Sequence, residues 1–171
     1  RQLGLKAEGI ELSEASRAFC KTTFGVELQA VDFTRGSAMG KDAEIITFWN
    51  VLEHVSEPLR LLKAAHRMLS GRPTLVVAEV PRWNCLTTGI QRQFQETIIR
   101  HLEPLSHINF FTDSSLATAF ETSGFSPTAA WYFGMDAYET CVQAALRADD
   151  PRLFEVLADF IPVIQQALDR G

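Results

Sequence analysis

Two carboxylates and one amide stand where apolar runs give way to polar residues. Glu11 follows Gly9-Ile10, Asp32 follows Ala30-Val31, and Asn50 follows the apolar run that begins at Ile45. In an open parallel sheet such positions fall at the C-terminal ends of strands, where ligands bind. An acid at the tip of the second strand can accept both hydroxyls of a ribose. Asp32, one strand further on, can accept from an exocyclic amino group, with Phe33 adding apolar contact. Trp49, Asn50 and Val51 set apolar surface beside a polar amide. Each acid also has a plainer use. Glu11 serves equally as a negative charge at a helix start, and Asp32 as a loop cap. Glu53 and His54 read as residues that cap or anchor the helix after them.

The elements that must position these residues alternate. Leu5–Leu12 reads as a strand, and Ser13 as the N-cap of a helix over 14–23 that Gly25 ends. Val26–Phe33 alternates as a strand, and Glu44–Phe48 is a continuous apolar strand of the kind buried inside a parallel sheet. Ser56 is placed to cap the next helix, with Pro58 in its first turn. Leu59, Leu62, Ala65, His66 and Leu69 form that helix's expected inner stripe, and Gly71 stops it. Leu75–Val80 is a further buried strand. Ile90, Phe94, Ile98 and Ile99 have the spacing of an inserted amphipathic helix. Thr112 or Asp113 caps a helix that ends at Gly124-Phe125, and Ser126–Phe133 reads as a last, aromatic strand. Asp150-Pro151 opens a helical tail that Pro162 kinks or splits. Strand and helix in turn predict an α/β fold, a Rossmann-like and mostly parallel sheet with helices on both faces.

Bulk properties narrow the function. The chain has 171 residues, enough for one core, and a net charge of −5 with no Lys/Arg cluster. Duplex nucleic acid needs a basic face to replace counterions, so it is not an expected partner. No apolar run reaches the ~18 residues of a membrane span. Cys20, Cys85 and Cys141 are odd in number and widely spaced. They suggest neither a metal ligand set nor a disulfide framework, but reduced thiols in a cytoplasmic setting.

Glu11, Asp32 and the run FWNVLEHVSEPLRLLKAAHRML from Phe48 to Leu69 resemble the class I S-adenosylmethionine (SAM)-dependent methyltransferases. The likeness is to the small-molecule branch related to ubiquinone-biosynthesis enzymes. The run His101–Thr112 and the Gly124-Phe125 pair resemble a later segment of that branch, so the similarity spans about residues 5–135. The resemblance implies SAM as cofactor, with Glu11 on the ribose and Leu12 flanking the adenosine. Asp32 and Phe33 would hold adenine, and Trp49, Asn50 and Val51 would face the methionine end. Asn50 departs mildly from the Asp or Gly usual near that position.

In the same reading, 82–112 is an acceptor-side insertion within a domain over 1–135, and 136–171 is a C-terminal helical segment. The acceptor is a small or lipid-like molecule, and the oligomeric state stays open. His107 and His101 are the candidate general bases for an oxygen nucleophile. A histidine beside Ile108 and Phe110 is also a common structural residue. Trp83, Phe94, Phe110, Phe111, Trp131 and Tyr132 line an acceptor site or fill core. The family's first strand with its glycine-rich loop, and its last strand, have no counterpart here. The expectation is therefore a piece of a longer polypeptide that neither folds fully nor binds SAM tightly alone. Two other readings share the acid after strand two. One is a nicotinamide-dependent Rossmann oxidoreductase, and the other a non-catalytic methyltransferase-like scaffold. A nucleic-acid methyltransferase is disfavoured by the charge.

Overall fold

A computed structural model describes residues 4–35, 40, 42–69, 74–93 and 105–170. Among them are seven helices and a two-stranded parallel sheet, the α/β class expected. The chain forms two compact units. One comprises 1–49, 57–78 and 119–125, and the other 50–56, 79–118 and 126–171.

In the first unit, helix α1 (Glu14–Phe24) starts where Ser13 Oγ accepts the Ser16 N–H, at 3.3 Å. It ends at Gly25, whose φ of 64° is the left-handed geometry that closes a helix. Strand β1 (Ile45–Trp49) pairs with β2 (Leu75–Glu79). Leu75 N–H donates to the Glu44 carbonyl at 3.0 Å, which sets the register. Helix α2 (Pro58–Leu69) begins on the Glu57 carbonyl, which accepts from both Arg60 and Leu61. Pro58 thus sits at N1, where its missing N–H costs nothing. The buried face of α2 is Leu61, Leu62, Ala64, Ala65 and Leu69. Leu59 is not in it. That side chain is 39% exposed, and the buried stripe is rotated toward Leu61.

The segments 5–12 and 26–33 do not form the full strands expected. They meet in one parallel bridge, Ile10 with Gln29. Gln29 N–H donates to the Gly9 carbonyl (2.9 Å) and Glu11 N–H to the Gln29 carbonyl (3.1 Å). Two bonds do not make a ladder, and each segment has no second strand neighbour among the described residues. A Cβ on Gly9 would lie 2.5 Å from Leu28 Cδ2, so a larger residue there needs that side chain to shift.

In the second unit, α3 (Leu86–Gln93) takes its first turn onto Asp136, whose carboxylate accepts from the Thr87 N–H (2.8 Å) and hydroxyl. The inserted helix anticipated through Ile99 is observed to Gln93, and 94–104 lie outside the described residues. Helix α4 (Asp113–Thr122) opens with reciprocal bonds: Ser115 N–H to Thr112 Oγ1, and Thr112 N–H to Ser115 Oγ. That is a capping box with serine as its third residue. Its far end, in the first unit, closes by Phe125 N–H donating to the Phe120 carbonyl, with Gly124 at φ 94°. The Phe120 and Phe125 rings meet at 5.8 Å. His66 of α2 packs on Phe125 at 5.3 Å and fills the space above Gly124.

The stretch Ser126–Phe133 is not a strand. It has no hydrogen-bonded strand partner among the described residues, and Trp131 and Phe133 are exposed. Three helices follow: α5 (Asp136–Ala148), α6 (Pro151–Ala158) and α7 (Ile161–Arg170). Asp150 caps α6 through the Arg152 N–H, at 3.0 Å. Pro162 falls in the first turn of α7, so it starts a new helix. Helix α5 packs on both α6 and α7 and on α3.

Two substitutions test this packing. Leu62→Ala should cost about 2–5 kcal/mol and Leu59→Ala under about 1 kcal/mol in urea unfolding. Equal losses would mean the stripe faces the other way. Gly124→Ala combines a left-handed backbone with a Cβ 2.8 Å from His66 Nε2. It should destabilise by more than about 1 kcal/mol, and a shortened side chain at His66 should recover only the steric part.

Candidate functional site

The first unit gathers its chemistry at one end of its paired segments. The parallel Ile10–Gln29 bridge sends both chains the same way, so Glu11 and Asp32 lie beyond the same end. Phe33 opens a 3-10 turn (Phe33–Arg35) and sets its ring edge-on against Phe48 of β1, at 5.7 Å. This ties the Asp32 loop to the C-terminal end of β1, where Trp49 is 56% exposed. Glu11 is half-buried, and Leu12 is exposed.

Both acids hold local partners. Glu11 Oε1 accepts from Ser13 N–H at 2.7 Å, at the start of α1. Arg17 Nη1 donates to the carbonyls of Glu11 (2.8 Å) and Leu12 (2.7 Å) and fixes this turn. Asp32 Oδ1 accepts from the Thr34 hydroxyl (2.7 Å) and N–H (2.9 Å), and Oδ2 lies 3.0 Å from Arg35 Nε. The Thr34 hydroxyl, then its N–H, holds the Asp32 carboxyl below the usual range, so it is ionised. The plainer uses of both acids are therefore real. They do not exhaust the acceptors, because an ionised carboxylate offers about four lone-pair directions.

In the second unit, Asn50 has φ 49°, the left-handed region, and its N–H donates to the Glu79 carbonyl at 3.2 Å. Asn, Asp and Gly are the residues that tolerate this conformation. That gives a backbone reason for an asparagine at position 50. Val51 is half-buried, and its carbonyl accepts from His54 N–H at 3.1 Å, closing a tight turn.

Around that turn lies a group the sequence did not single out as a unit. The Glu53 carbonyl accepts from Ile108 N–H (2.9 Å) and Asn109 N–H (3.0 Å). Asn109 Nδ2 donates to the carbonyls of Leu52 (3.0 Å) and Val55 (2.6 Å). His54 Nδ1 lies 2.7 Å from the Ser106 carbonyl oxygen. Five polar contacts thus bind the 52–55 turn to the 106–109 loop. They bring His107 beside His54, ring centroids 4.8 Å apart. The Glu53 side chain is 1% exposed, and neither carboxylate oxygen has a hydrogen-bond partner among the described residues. Burial pushes its carboxyl above the usual carboxylate range. The available signal was Glu53-His54 followed by His107-Ile108-Asn109. The separation in sequence hid the pairing. His101 lies outside the described residues.

A second lock sits nearby in the same unit. Arg82 meets Asp113 in a two-pronged pair, Nε–Oδ1 2.8 Å and Nη2–Oδ2 2.6 Å, and its guanidinium lies 4.5 Å from the Tyr132 ring centre. The pair holds the Asp113 carboxyl below its usual range. Trp83 N–H donates to the Phe111 carbonyl at 2.7 Å, and the Trp83 and Phe110 rings meet at 5.1 Å. Trp83, Phe110 and Tyr132 therefore have partners, and Phe111 is buried core. Phe94 lies outside the described residues.

No helix among the described residues is long and apolar enough to cross a membrane. A family model described as a methyltransferase domain aligns with residues 1–130. No curated protein and no solved structure matches the chain. The aligned span takes in the strand-end acids, the Asn50 turn and the Glu53 group, and the chain belongs to this methyltransferase-domain family.

Proposed function

We propose that the protein transfers the methyl group of SAM to a small or lipid-like acceptor by direct displacement. One observation carries the cofactor reading. Glu11 and Asp32 lie beyond the same end of parallel-paired segments, in a chain of the methyltransferase-domain family. In the transfer, the acceptor's electron pair forms a bond to the methyl carbon as the carbon–sulfur bond breaks. The sulfonium takes that bond's electrons and leaves as the neutral thioether S-adenosylhomocysteine. Alignment of acceptor, methyl and sulfur supplies most of the rate.

The roles follow residue by residue. Glu11 accepts the ribose hydroxyls and Leu12 flanks the adenosine. Asp32 accepts from the adenine amino group while Phe33 gives apolar contact, and Trp49 lies toward the methionine end. Asn50 and Val51 serve the methionine end. The catalytic domain is taken as 1–135, with 82–112 on the acceptor side and 136–171 as a helical addition. A hydroxyl acceptor must lose its proton, and we assign that step to His107 and its surroundings, with His101 as second candidate. The free thiols of Cys20, Cys85 and Cys141 fit a reducing, cytoplasmic compartment.

Equilibrium binding of labelled SAM and labelled NAD, measured on the complete polypeptide, tests the cofactor. SAM should bind and NAD should not, and the opposite result would refute the SAM reading and favour the oxidoreductase. Glu11→Ala should weaken SAM at least tenfold, about 1.4 kcal/mol. The Asn50 backbone gives an independent test. Asn50→Gly should keep the fold, whereas Asn50→Val should cost about 1–2 kcal/mol, because a β-branched residue resists φ 49°. Equal melting points for the two variants would contradict that geometry.

A further inference from the structure

We infer that Glu53, His54 and His107 form a binding site for one divalent transition-metal ion of the zinc class. Each of the three offers one donor atom, and these atoms lie within 4.8 Å of one another. All three belong to the same compact unit. Two imidazole nitrogens and a carboxylate are the donor set of open zinc sites, which leave further positions for water or substrate.

The arrangement explains what internal contacts do not. Glu53 is buried with both oxygens unserved among the described residues, and His107 Nδ1 is buried without a partner as well. Polar groups this deep are normally paired. The nearest charge partner, His54 Nε2, is 3.8 Å from Glu53 Oε1, too far for a hydrogen bond. These are donors gathered together and not satisfied by each other. Two other carboxylates of this unit differ. Asp136 is served by Thr87, and Asp113 by Arg82.

His54 is set up as a ligand. A carbonyl oxygen can only accept, so the Nδ1 beside Ser106 carries the ring hydrogen. The lone pair is then on Nε2, which faces Glu53. A backbone carbonyl fixing the tautomer of a metal-bound histidine is a recurrent outer-shell arrangement. The main-chain bonds from Ile108 and Asn109 to the Glu53 carbonyl hold the two ligand-bearing segments together before any ion arrives. Donors about 2.1 Å from a tetrahedral ion stand about 3.4 Å apart. His54, 40% exposed at its side chain, gives the ion a path from solvent.

The open positions would take water or an acceptor oxygen, whose proton is then lost more readily. His107 would assist deprotonation as a ligand in place of acting as a free base. This use rests on the methyl-transfer reading, whereas ion binding does not. The test is therefore made without SAM. The metal-free chain is titrated with Zn²⁺ by calorimetry and with Co²⁺ by visible absorption, with Mg²⁺ as the hard-ion control. One Zn²⁺ per chain should bind in the micromolar range or tighter, Co²⁺ should develop ligand-field bands, and Mg²⁺ should bind at least tenfold more weakly. Glu53→Gln, His54→Gln and His107→Gln should each weaken Zn²⁺ at least tenfold, and Zn²⁺ should raise the melting temperature of the parent only. His54→Gln changes a partly exposed ring, so it keeps the test valid if a buried variant does not fold. No stoichiometric binding, or variants that bind like the parent, would overturn the site and favour a proton shared between Glu53 and a histidine. Zn²⁺ binding without SAM binding would keep the site and refute the reaction.

Discussion

The main chain and the side chain of Glu53 meet opposite fates. Its carbonyl is held by two N–H groups of the 108–109 backbone, while its carboxylate is buried with neither oxygen paired among the described residues. Asn109 also holds the carbonyls of Leu52 and Val55, so the turn that carries this carboxylate is fixed at three of its main-chain acceptors. Burying an ionised carboxylate unpaired is strongly unfavourable, so the group must stay protonated, pair, or bind a cation. Its raised pKa reflects that constraint, and the two histidines beside it are the groups able to answer it.

The Asn50 turn shows backbone geometry choosing a residue. Strand β1 is followed at once by a left-handed residue whose N–H stays bonded to Glu79, so the chain turns without losing that contact. Only residues with little steric objection to positive φ fit easily there. Asparagine meets the requirement and also presents an amide. A position that reads as a departure from the family's usual residues is thus conservative in conformation.

Local capping explains much of the remaining order. Ser13, the Thr112–Ser115 box and Asp150 start their helices with side-chain acceptors, and Gly25 and Gly124 stop theirs with left-handed geometry. These devices are worth about 0.5–2 kcal/mol each and act within a few residues. They are therefore independent of the long-range pairing that positions a site. Arg82–Asp113 and Thr87–Asp136 do the longer work, joining distant segments through charge-assisted bonds.

The sequence alone determined the α/β class, the start of α1 at Ser13, the placing of Pro58 at a helix opening, a break in the tail at Pro162, and the family resemblance through the Phe48–Leu69 run. Each depends on periodicity or on a cap whose partners are near in the chain. It misjudged Leu59, because neighbouring leucines on a helix are separated only by which face finds a partner. It overextended 5–12, 26–33 and 126–133 into strands, because alternation gives β-propensity but a strand exists only where a neighbour supplies hydrogen bonds. Tertiary structure decided which polar groups lost water. Nothing local in Glu53-His54 reveals that its carboxylate is buried or that His107, more than fifty residues on, stands beside it. Burial depends on atoms brought from elsewhere in the chain, and that information exists only once the chain has folded.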